Sequence, residues 1–505
     1  MKRNLVLLSI AALLFSACKQ KNELPLPNII NVSPLADMQP IQSNFLGFSH
    51  EWGQAQIMIG NSGIGENDIY SQLIENITDI TQAPFSIRIG GVSTHTLNKL
   101  NAVDFAPFTS LAKKQKVEYI MSVNTAKKDE KLILNQAKEI YYALNNKGLK
   151  AIELGSATNT YIHNKFRDST WGFSKYLDET KSIVDKIHAE VDPSIHFAGP
   201  SILGFPKEEW LPKVKPLDFA NTKDFAKLHR SMGAAVSIYT FQNYSTLNNK
   251  CGGSIKTGAL LPADMSRDNP NKIKEFANFA HSKNIALRIT ELNGVDCGGE
   301  NNISDAYESA LWLIDILFEY AYNGVSGVNI ASNLWTKNST WDLGAAFSFN
   351  VPEKQVKIAQ TFKAPIGIKY TNNYELKNVA PIYYGMLFFA HASRDGMYVK
   401  PMTWDRTNNT KAWFLQNKNN DKRIILINKT DKKVNYTLPE IYANGANMEK
   451  LSAPNAAAKN KIKFRGFTFD NSKDGKAIGK EEITKIEAVK VIEIAPFEAV
   501  VLSIL

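Results

Sequence analysis

The sequence predicts a (β/α)8 barrel followed by an antiparallel β-sandwich domain. Short apolar runs alternate with amphipathic helical patterns over roughly 300 residues, which is the size of such a barrel. Beyond about residue 400 the pattern changes to short alternating strands separated by Asn, Lys, Asp and Gly, as in antiparallel sheets. A doubly wound sheet is the alternative for the first part, but no glycine-rich dinucleotide turn follows the first predicted strand.

The predicted barrel strands are apolar runs bounded by turn-forming residues. They are Phe45–Glu51, Phe85–Gly90, Val117–Asn124, Ala151–Gly155, His196–Pro200, Ala235–Phe241, Leu287–Leu292 and Val325–Ala331. Helical periodicity predicts intervening helices over Ile69–Ile80, Glu130–Asn145, Phe173–Val191, Thr222–Met232, Asn271–Ser282 and Asp305–Tyr322. Ser304 is the expected N-cap of the last of these helices.

The domain boundaries follow from these patterns. Residues 40–399 are expected to form the barrel domain and residues 400–505 the β-sandwich. In the barrel, long loops follow strand six and strand eight, on the face where the active sites of such barrels lie. The predicted sandwich strands are Lys411–Leu415, Arg423–Asn428, Val434–Leu438, Ile462–Phe469, Lys490–Ile494 and Ala499–Leu505.

Residues 1–17 have the pattern of an export signal. A basic start at Lys2 and Arg3 precedes an apolar run that is too short to cross a bilayer. The five residues that end at Cys18, LFSAC, resemble a bacterial lipobox, so we expect Cys18 to be lipidated. Residues 18–39 are then a tether, and the protein is expected in the bacterial cell envelope (outer membrane or periplasm), held to the membrane by its lipid alone.

The other two cysteines, Cys251 and Cys297, would lie in an oxidising compartment after export. We predict a disulfide between two loops, with free thiols as the alternative. Their spacing resembles no zinc site, so no metal is expected.

The net charge of the chain bears on which class of partner it binds. The formal net charge is +10 at pH 7, and 19 Lys and Arg outnumber 12 Asp and Glu from Lys400 onward. Such a surface would attract polyanions such as uronic-acid or sulfated glycans, although dispersed lysines more often form an ordinary solvated surface. No dense basic run interleaved with aromatics predicts nucleic-acid binding.

Glu291 is the first candidate for catalysis. It ends the alternating apolar run ALRITE and is followed by turn-forming residues. Catalytic groups of (β/α)8 barrels lie at the C-terminal ends of strands, which makes Glu291 a candidate nucleophile. The alternative is a strand-end glutamate paired with a basic residue.

Short motifs lie in order along the predicted barrel: FLGFSHE at 45–51, IRIGG at 87–91, IELG at 152–155, RITE at 288–291, LW at 311–312, GVN at 327–329 and PIYYGM at 381–386. In this order and spacing they resemble glycoside hydrolase family 79, the heparanase and β-glucuronidase family. The resemblance covers roughly residues 40 to 400. It implies a barrel with a β-domain, retaining hydrolysis of β-linked glucuronides, and no metal or cofactor.

The resemblance also implies roles for single residues. Glu291 matches the nucleophile, and Glu51 matches a position that contacts the sugar. Arg88 would keep Glu291 ionised, because a nearby cation lowers the pKa of a carboxyl, or it could form an ion pair with no kinetic role. Arg88, Asn329 and Tyr239 are further substrate-binding candidates. Trp335 and Trp341 could stack on a sugar ring or pack beneath their loop.

The sequence departs from the family at the proton donor. Retaining hydrolysis uses two carboxyl groups, and the family's donor lies in a Gly-Asn-Glu-Pro run after strand four. Residues 155–158 here read GSAT, so Ala157 stands at the donor position. Glu153 looks like the family's structural glutamate. Replacement donors from loops are conceivable at His163, Asp296 or Glu300, although each is more readily explained as a solvated loop residue.

Two functions remain open at this point. The first is a retaining glycoside hydrolase that acts on β-linked uronic-acid-containing glycans, with Glu291 as nucleophile. The second is a catalytically degenerate lipoprotein that binds glycan at the cell surface. In both, the expected partner is an oligosaccharide or polysaccharide, expected to be anionic.

Overall fold

The computed structural model describes residues 38–61, 65–204, 219–333, 343–351, 375–402, 409–438, 444–487 and 491–505. The predicted export signal, Cys18, nearly all of the tether, Trp335 and Trp341 lie outside these residues. Within them, no helix is long and apolar enough to cross a membrane.

The predicted barrel is confirmed. Eight strands close into a barrel, and every neighbouring pair is parallel. We number them barrel strands 1–8 in chain order, and each is bonded to the next, with strand 8 closing onto strand 1. Their bounds are Leu46–Glu51, Phe85–Gly90, Val117–Val123, Leu149–Leu154, Phe197–Leu203, Val236–Leu247, Ala286–Asp296 and Gly327–Ala331.

The helices surround the barrel, and most begin and end close to the predicted residues. They are Trp52–Met58, Asp68–Thr81, Ala106–Gln115, Glu130–Leu144, Phe173–Glu190, Thr222–Met232, Asp264–Ser282, Glu308–Tyr322 and Pro381–Ser393. The first, third and last of these helices were not predicted from the sequence. Two of those three carry Pro in their first turn, where its missing N–H costs no helical hydrogen bond.

The expected N-cap at Ser304 is wrong. The helix begins at Glu308, and the Ser304 hydroxyl instead accepts the N–H of Glu300 at 3.0 Å. The N–H groups of Tyr307 and Glu308 donate to the carbonyls of Ala458 and Ala456, both at 2.8 Å. Backbone carbonyls from the C-terminal domain therefore satisfy groups that a side-chain cap satisfies in other helices.

The C-terminal domain is an antiparallel β domain, as predicted, and its main element is a ten-stranded sheet. Ala446–Ser452, at its centre, was missed, and the predicted strand over 462–469 is a tight hairpin that turns at Arg465 and Gly466. The strands are Gln39–Pro40, Tyr398–Pro401, Thr410–Gln416, Lys422–Asn428, Ala446–Ser452, Lys463–Phe464, Phe467–Thr468, Ile478–Gly479, Thr484–Ile486 and Glu498–Ile504, with a separate ribbon of Val434–Thr437 and Val491–Ile494.

The two faces of this sheet pack in different places. Phe414 and Leu426 on one face share a small core with Tyr436 of the ribbon. Trp413 and Ile425, on the opposite face, belong to the large core of the barrel and its helices. Successive side chains along strands Thr410–Gln416 and Lys422–Asn428 therefore point alternately into the small core and into the large one.

A buried ionic cluster joins helix Glu308–Tyr322 to the sheet. Asp315 lies 2.7 Å from the Lys429 ammonium and 3.5 Å from that of Lys411, which also pairs with Glu319. Burial alone would raise the pKa of Asp315, but the two lysines lower it below its usual value. Removal of one partner from such a cluster leaves a buried charge without compensation, which strongly destabilises the fold.

We therefore expect Asp315→Ala to lower the free energy of unfolding by about 3–5 kcal/mol, since the buried Lys429 loses its ion-pair partner and Lys411 keeps only Glu319. Chemical denaturation followed by circular dichroism measures this. Lys433→Ala is the control: Lys433 pairs with Glu493 on the exposed surface, and its loss should change stability far less. Equal effects of the two variants would show that the cluster does not hold the domains together.

Candidate active site

A cavity of about 410 Å³ opens at the C-terminal ends of the barrel strands. Strands 1, 2, 4, 5, 6, 7 and 8 or the turns after them contribute to its wall. The wall includes Glu51, Ala157, His163, Tyr244, Glu291 and Asp296. Among the described residues of its wall there are three carboxylates and no lysine or arginine. A concave site at this end of the barrel is where this fold places ligands.

Arg88 lies just beneath the cavity and is fully buried. Its guanidinium donates to Glu153 at 2.8 Å and to Glu291 at 2.7 Å, and it also contacts the hydroxyls of Ser49 and Ser156. Burial alone would lower the pKa of Arg88, but the negative charges of Glu153 and Glu291 raise it. Arg88 is therefore a permanent cation shared by two carboxylates.

Glu291 faces the cavity because strand 7 is irregular at this point. Arg288 and Thr290 point into the barrel, where they bond Asn329 and Glu153, so strict alternation would turn Glu291 outward with Ile289. The pairing with strand 6 slips between Ile289 and Glu291. This bulge turns Glu291 inward as well, a common use of bulges near active sites.

Both oxygens of Glu291 have partners. Arg88 binds Oε2 at 2.7 Å, and the Tyr244 hydroxyl donates to Oε1. The side chain is 14% exposed, and that exposure is toward the cavity. The pairing with a basic residue that the sequence left as an alternative is present, and it leaves the carboxylate accessible.

Tyr244 was not anticipated from the sequence. The predicted strand 6 ended at Phe241, but the strand continues to Leu247. Thr240, Gln242 and Tyr244 then lie on one face by alternation, and the last two line the cavity. Continuing the alternation beyond Phe241 would have identified Tyr244.

Glu51 is fixed at the end of strand 1 by main-chain donors. Its two oxygens accept the N–H groups of Val92 at 3.1 Å and Ser93 at 2.8 Å. A Cβ on Gly91, whose φ is +71°, would lie 2.2 Å from the Glu51 carboxylate, so only glycine fits there. Burial, and then the charge of Glu291, raise the pKa of Glu51 to about 7 against the opposing N–H of Ser93.

Three of the predicted substrate-binding residues do not line the cavity. Arg88 lies below its floor and holds Glu291 instead. Tyr239 points outward, because its neighbour Ile238 fills the barrel interior, and it packs against Phe225 with ring centroids 4.8 Å apart. Asn329 lies deeper in the barrel, where its amide bonds backbone carbonyls of strands 1 and 2. The prediction that Tyr239 and Asn329 contact substrate is therefore wrong. Tyr239 packs outside the barrel, and Asn329 hydrogen-bonds inside it.

At the position of the family's proton donor the wall presents only a methyl group. Ala157 lines the cavity in a left-handed conformation with φ of +45°. The hydroxyl of Ser156 accepts from Arg88 at 3.1 Å and from Gln242 at 2.8 Å, so it faces the floor. Glu153 is buried beneath, bonded to Arg88, which fits its expected structural role.

The three candidate replacement donors differ in their position relative to the cavity. Glu300 does not line the cavity and accepts the N–H of Asn249 at 3.0 Å. His163 is exposed at the wall on the Ala157 side. Asp296 lines the cavity at the end of strand 7, and burial, together with the charge of Glu291, raises its pKa to about 6 against the N–H of Cys297.

Cys251 and Cys297 form a disulfide with their Cα atoms 6.5 Å apart. It joins the turn after strand 6 to the turn after strand 7, next to Asp296. Among the described residues, no group of His, Cys, Asp and Glu is arranged to hold a metal ion.

Comparison with known proteins supports the fold. No protein-family model matches the chain, and neither does any curated protein sequence. Among solved structures, a 4-O-α-L-rhamnosyl-β-D-glucuronidase from Fusarium oxysporum superposes with a TM-score of 0.71 at 15% identity, over 94% of this chain and 99% of that chain. An α-L-arabinofuranosidase from Thermotoga maritima gives 0.58 at 12% identity, over 92% and 97%.

A family 51 arabinofuranosidase from Xanthomonas axonopodis gives a TM-score of 0.56 at 11% identity, over 93% of this chain and 97% of that chain. All three neighbours are glycosidases by description, and the likeness extends through the C-terminal domain because it spans almost the whole of each chain. At these identities the comparison establishes a shared barrel and β-domain architecture. Membership of family 79 is not shown by it.

Proposed function

We propose that the protein is a retaining glycoside hydrolase that acts on β-linked, uronic-acid-containing glycans, with Glu291 as the nucleophile. The observation that carries the proposal is the Glu291 carboxylate, which faces a sugar-sized cavity while Arg88 and Tyr244 hold it from below and beside. The β-glucuronidase among the structural neighbours supports the substrate class.

The geometry suits nucleophilic attack. Arg88 stabilises the charged form of Glu291, and a retaining nucleophile must be charged when it attacks the anomeric carbon. When Glu291 forms the glycosyl ester its charge disappears, but Glu153 remains at 2.8 Å from Arg88. The buried guanidinium therefore keeps a counter-ion throughout the reaction.

The rest of the wall suits a sugar. Gln54, Asn164, Gln242 and Asn333 contribute carboxamides that can meet ring hydroxyls, Gln242 through its oxygen because its amide group already donates to Ser156 and Ser201. Val92, Val295 and Leu203 supply apolar surface for the faces of the ring. This combination of apolar walls and a few directed polar groups is typical of small-molecule sites.

An anionic sugar can bind in this acidic cavity if one carboxyl is protonated. Glu51, whose pKa is raised to about 7, is the group that we assign to this role. In its neutral form it donates a hydrogen bond to a uronate carboxylate, and in its charged form it repels one.

The second candidate function is glycan binding without turnover. The observation that favours it is the methyl group of Ala157 at the expected donor position. A missing general acid costs about 10²–10⁴-fold in rate with poor leaving groups and much less with acidic ones. An aryl β-glucuronide with an acidic phenol therefore separates the two functions.

We expect the protein to hydrolyse such an aryl β-glucuronide with retention, and Glu291→Gln to lower kcat/KM by at least about 1000-fold, because the nucleophile is lost. Proton NMR of the first-formed sugar should show the β anomer. Glu300→Gln, a loop change outside the cavity, is the control and should retain full activity. Saturable glycan binding with no turnover, unaffected by Glu291→Gln, would establish the binding protein instead.

We also expect the affinity for a non-hydrolysable thio-β-glucuronide to weaken as pH rises through about 7, the pKa of Glu51. Below this pH Glu51 is neutral and donates to the uronate, whereas above it the two charges repel. Calorimetry from pH 5 to 8 measures this, at about tenfold per pH unit at most. Glu51→Gln should remove much of the dependence. Tighter binding of the matching uncharged thioglucoside would contradict uronate specificity.

For location we propose export and lipidation at Cys18, on the strength of the N-terminal sequence pattern. Expressed in a bacterial host with a lipoprotein pathway, the chain should incorporate a labelled fatty acid and partition into detergent. Cys18→Ser should abolish both. Label retained in the Cys18→Ser variant would place the modification elsewhere.

A further inference from the structure

We propose that Asn333 selects for a uronate, its carboxamide NH2 group donating a hydrogen bond to the substrate carboxylate beside Glu51. This inference rests on the proposed uronic-acid-containing substrate and adds a donor that such a substrate requires. A carboxylate accepts hydrogen bonds and donates none, so an anionic sugar must meet donors on the protein. The described wall of the cavity has no lysine or arginine to supply them.

The hydrogen bond made by the oxygen of Asn333 fixes which of its atoms is available to a ligand. Oδ1 of Asn333 accepts the main-chain N–H of Glu51 at 2.7 Å. Because a backbone N–H can only donate, the carboxamide oxygen must occupy this position and the NH2 group the other one. The Nδ2 atom makes no hydrogen bond within the described part of the chain. Asn333 is 7% exposed and lines the cavity, so its NH2 group is available to a ligand there.

Three hydrogen bonds hold the preceding residue, Ser332. Its N–H donates to the carbonyl of Ser49 at 2.9 Å, its hydroxyl accepts the N–H of Ala346 at 3.1 Å, and its carbonyl accepts from Nδ1 of His50. Burial lowers the pKa of His50 to about 4, so the ring is neutral, and Nδ1 carries the proton that this bond needs. The NH2 group of Asn333 is therefore presented from a fixed backbone, which lowers the entropy cost of binding.

Two other carboxamides of the wall present the opposite atom. Gln242 donates its NH2 group to two serine hydroxyls, at 2.8 and 3.1 Å, and Asn164 donates its own to Thr160 at 3.0 Å. Their oxygens remain for a ligand, and such oxygens accept from sugar hydroxyls but repel a carboxylate. Gln242 belongs to strand 6 and Asn164 to the turns after strand 4. A uronate therefore fits with its carboxylate toward strands 1 and 8 and its hydroxyls toward strands 4 and 6.

Asn333 and the neutral form of Glu51 make a pair of donors. The two residues are adjacent, because the main chain of Glu51 bonds the side chain of Asn333, and both line the cavity. Burial, and then the charge of Glu291, raise the pKa of Glu51 to about 7, so Glu51 donates only below that pH. Asn333 donates at every pH, because a carboxamide does not titrate in this range. The pair can therefore be separated by the pH dependence of binding.

The decisive variant is Asn333→Asp. It keeps an oxygen to accept the Glu51 N–H and exchanges only the available NH2 group for a second oxygen. Calorimetry on the full-length protein below pH 7 should compare thio-β-glucuronide, its uncharged carboxamide and thio-β-glucoside. We expect the affinity for thio-β-glucuronide to fall by about 10–100-fold, because a charged hydrogen bond is lost.

The other two ligands should respond differently. Binding of thio-β-glucoside should change by less than about threefold, because its hydroxymethyl group can donate to the new oxygen as readily as it accepted from the NH2 group. The uncharged carboxamide should then bind more tightly than thio-β-glucuronide, since it too can donate to the new oxygen. A purely structural role for Asn333 would not produce this reversal.

Asn419→Asp is the matched control. Asn419 lies in an exposed turn of the C-terminal domain, so the same change of charge there should leave all three affinities at their wild-type values. If circular dichroism shows that Asn333→Asp does not fold, Asn333→Ala takes its place. That variant should weaken thio-β-glucuronide binding by about tenfold at every pH, and the pH dependence assigned to Glu51 should persist. Equal losses for all three ligands in a folded variant would overturn the assignment.

Failure of the proposed function looks different. In that case the wild-type protein would bind none of the three ligands saturably, or would prefer thio-β-glucoside, and the role of Asn333 would fall with it. A wild-type preference for thio-β-glucuronide that Asn333→Asp and Asn333→Ala both retain in full would preserve the uronate-binding cavity and reject only this inference.

Discussion

The arrangement of the site depends on one buried cation that two carboxylates share. Arg88 has no access to water, so its charge must be balanced inside the barrel, and Glu153 and Glu291 do this from strands 4 and 7. Glu153 is also held by hydroxyls of Ser122 and Thr290. The pair Arg88–Glu153 is thus a fixed base on which Glu291 can lose and regain its charge. A nucleophile without this second carboxylate would leave a buried cation uncompensated during the reaction.

The same charge balance shapes the cavity above. With Arg88 committed beneath the floor, the described wall carries three carboxyls and no lysine or arginine, and the charge of Glu291 raises the pKa of both Glu51 and Asp296. The three carboxyls then differ by their partners: a cation and a phenol for Glu291, main-chain N–H groups for Glu51, and a single N–H for Asp296. Different partners on similar groups are how one cavity can hold carboxyls of different pKa.

The C-terminal domain contributes to the site without touching it. It bonds the N–H groups at the start of helix Glu308–Tyr322 and forms the ionic cluster at Asp315. At the start of that helix, the carboxylate of Glu308 accepts the N–H groups of Gly258 and Leu260, in the loop after strand 6. This loop continues from the disulfide at Cys251. A chain of contacts therefore connects the sheet, one barrel helix and the loops around the cavity.

Periodicity alone determined the barrel, the order of its strands and the antiparallel domain, because a period of two or of 3.6 in apolar residues reflects which faces must be buried. It also placed Glu51 and Glu291 at strand ends, although strand 7 continues past Glu291 to Asp296, which was expected in a loop. The disulfide was predicted from the number of cysteines and the expected compartment. Tertiary structure decided the rest. The bulge that turns Glu291 into the cavity comes from pairing with strand 6, which a single strand does not reveal. Tyr239 and Asn329 were misjudged because depth and direction in a closed barrel depend on all eight strands.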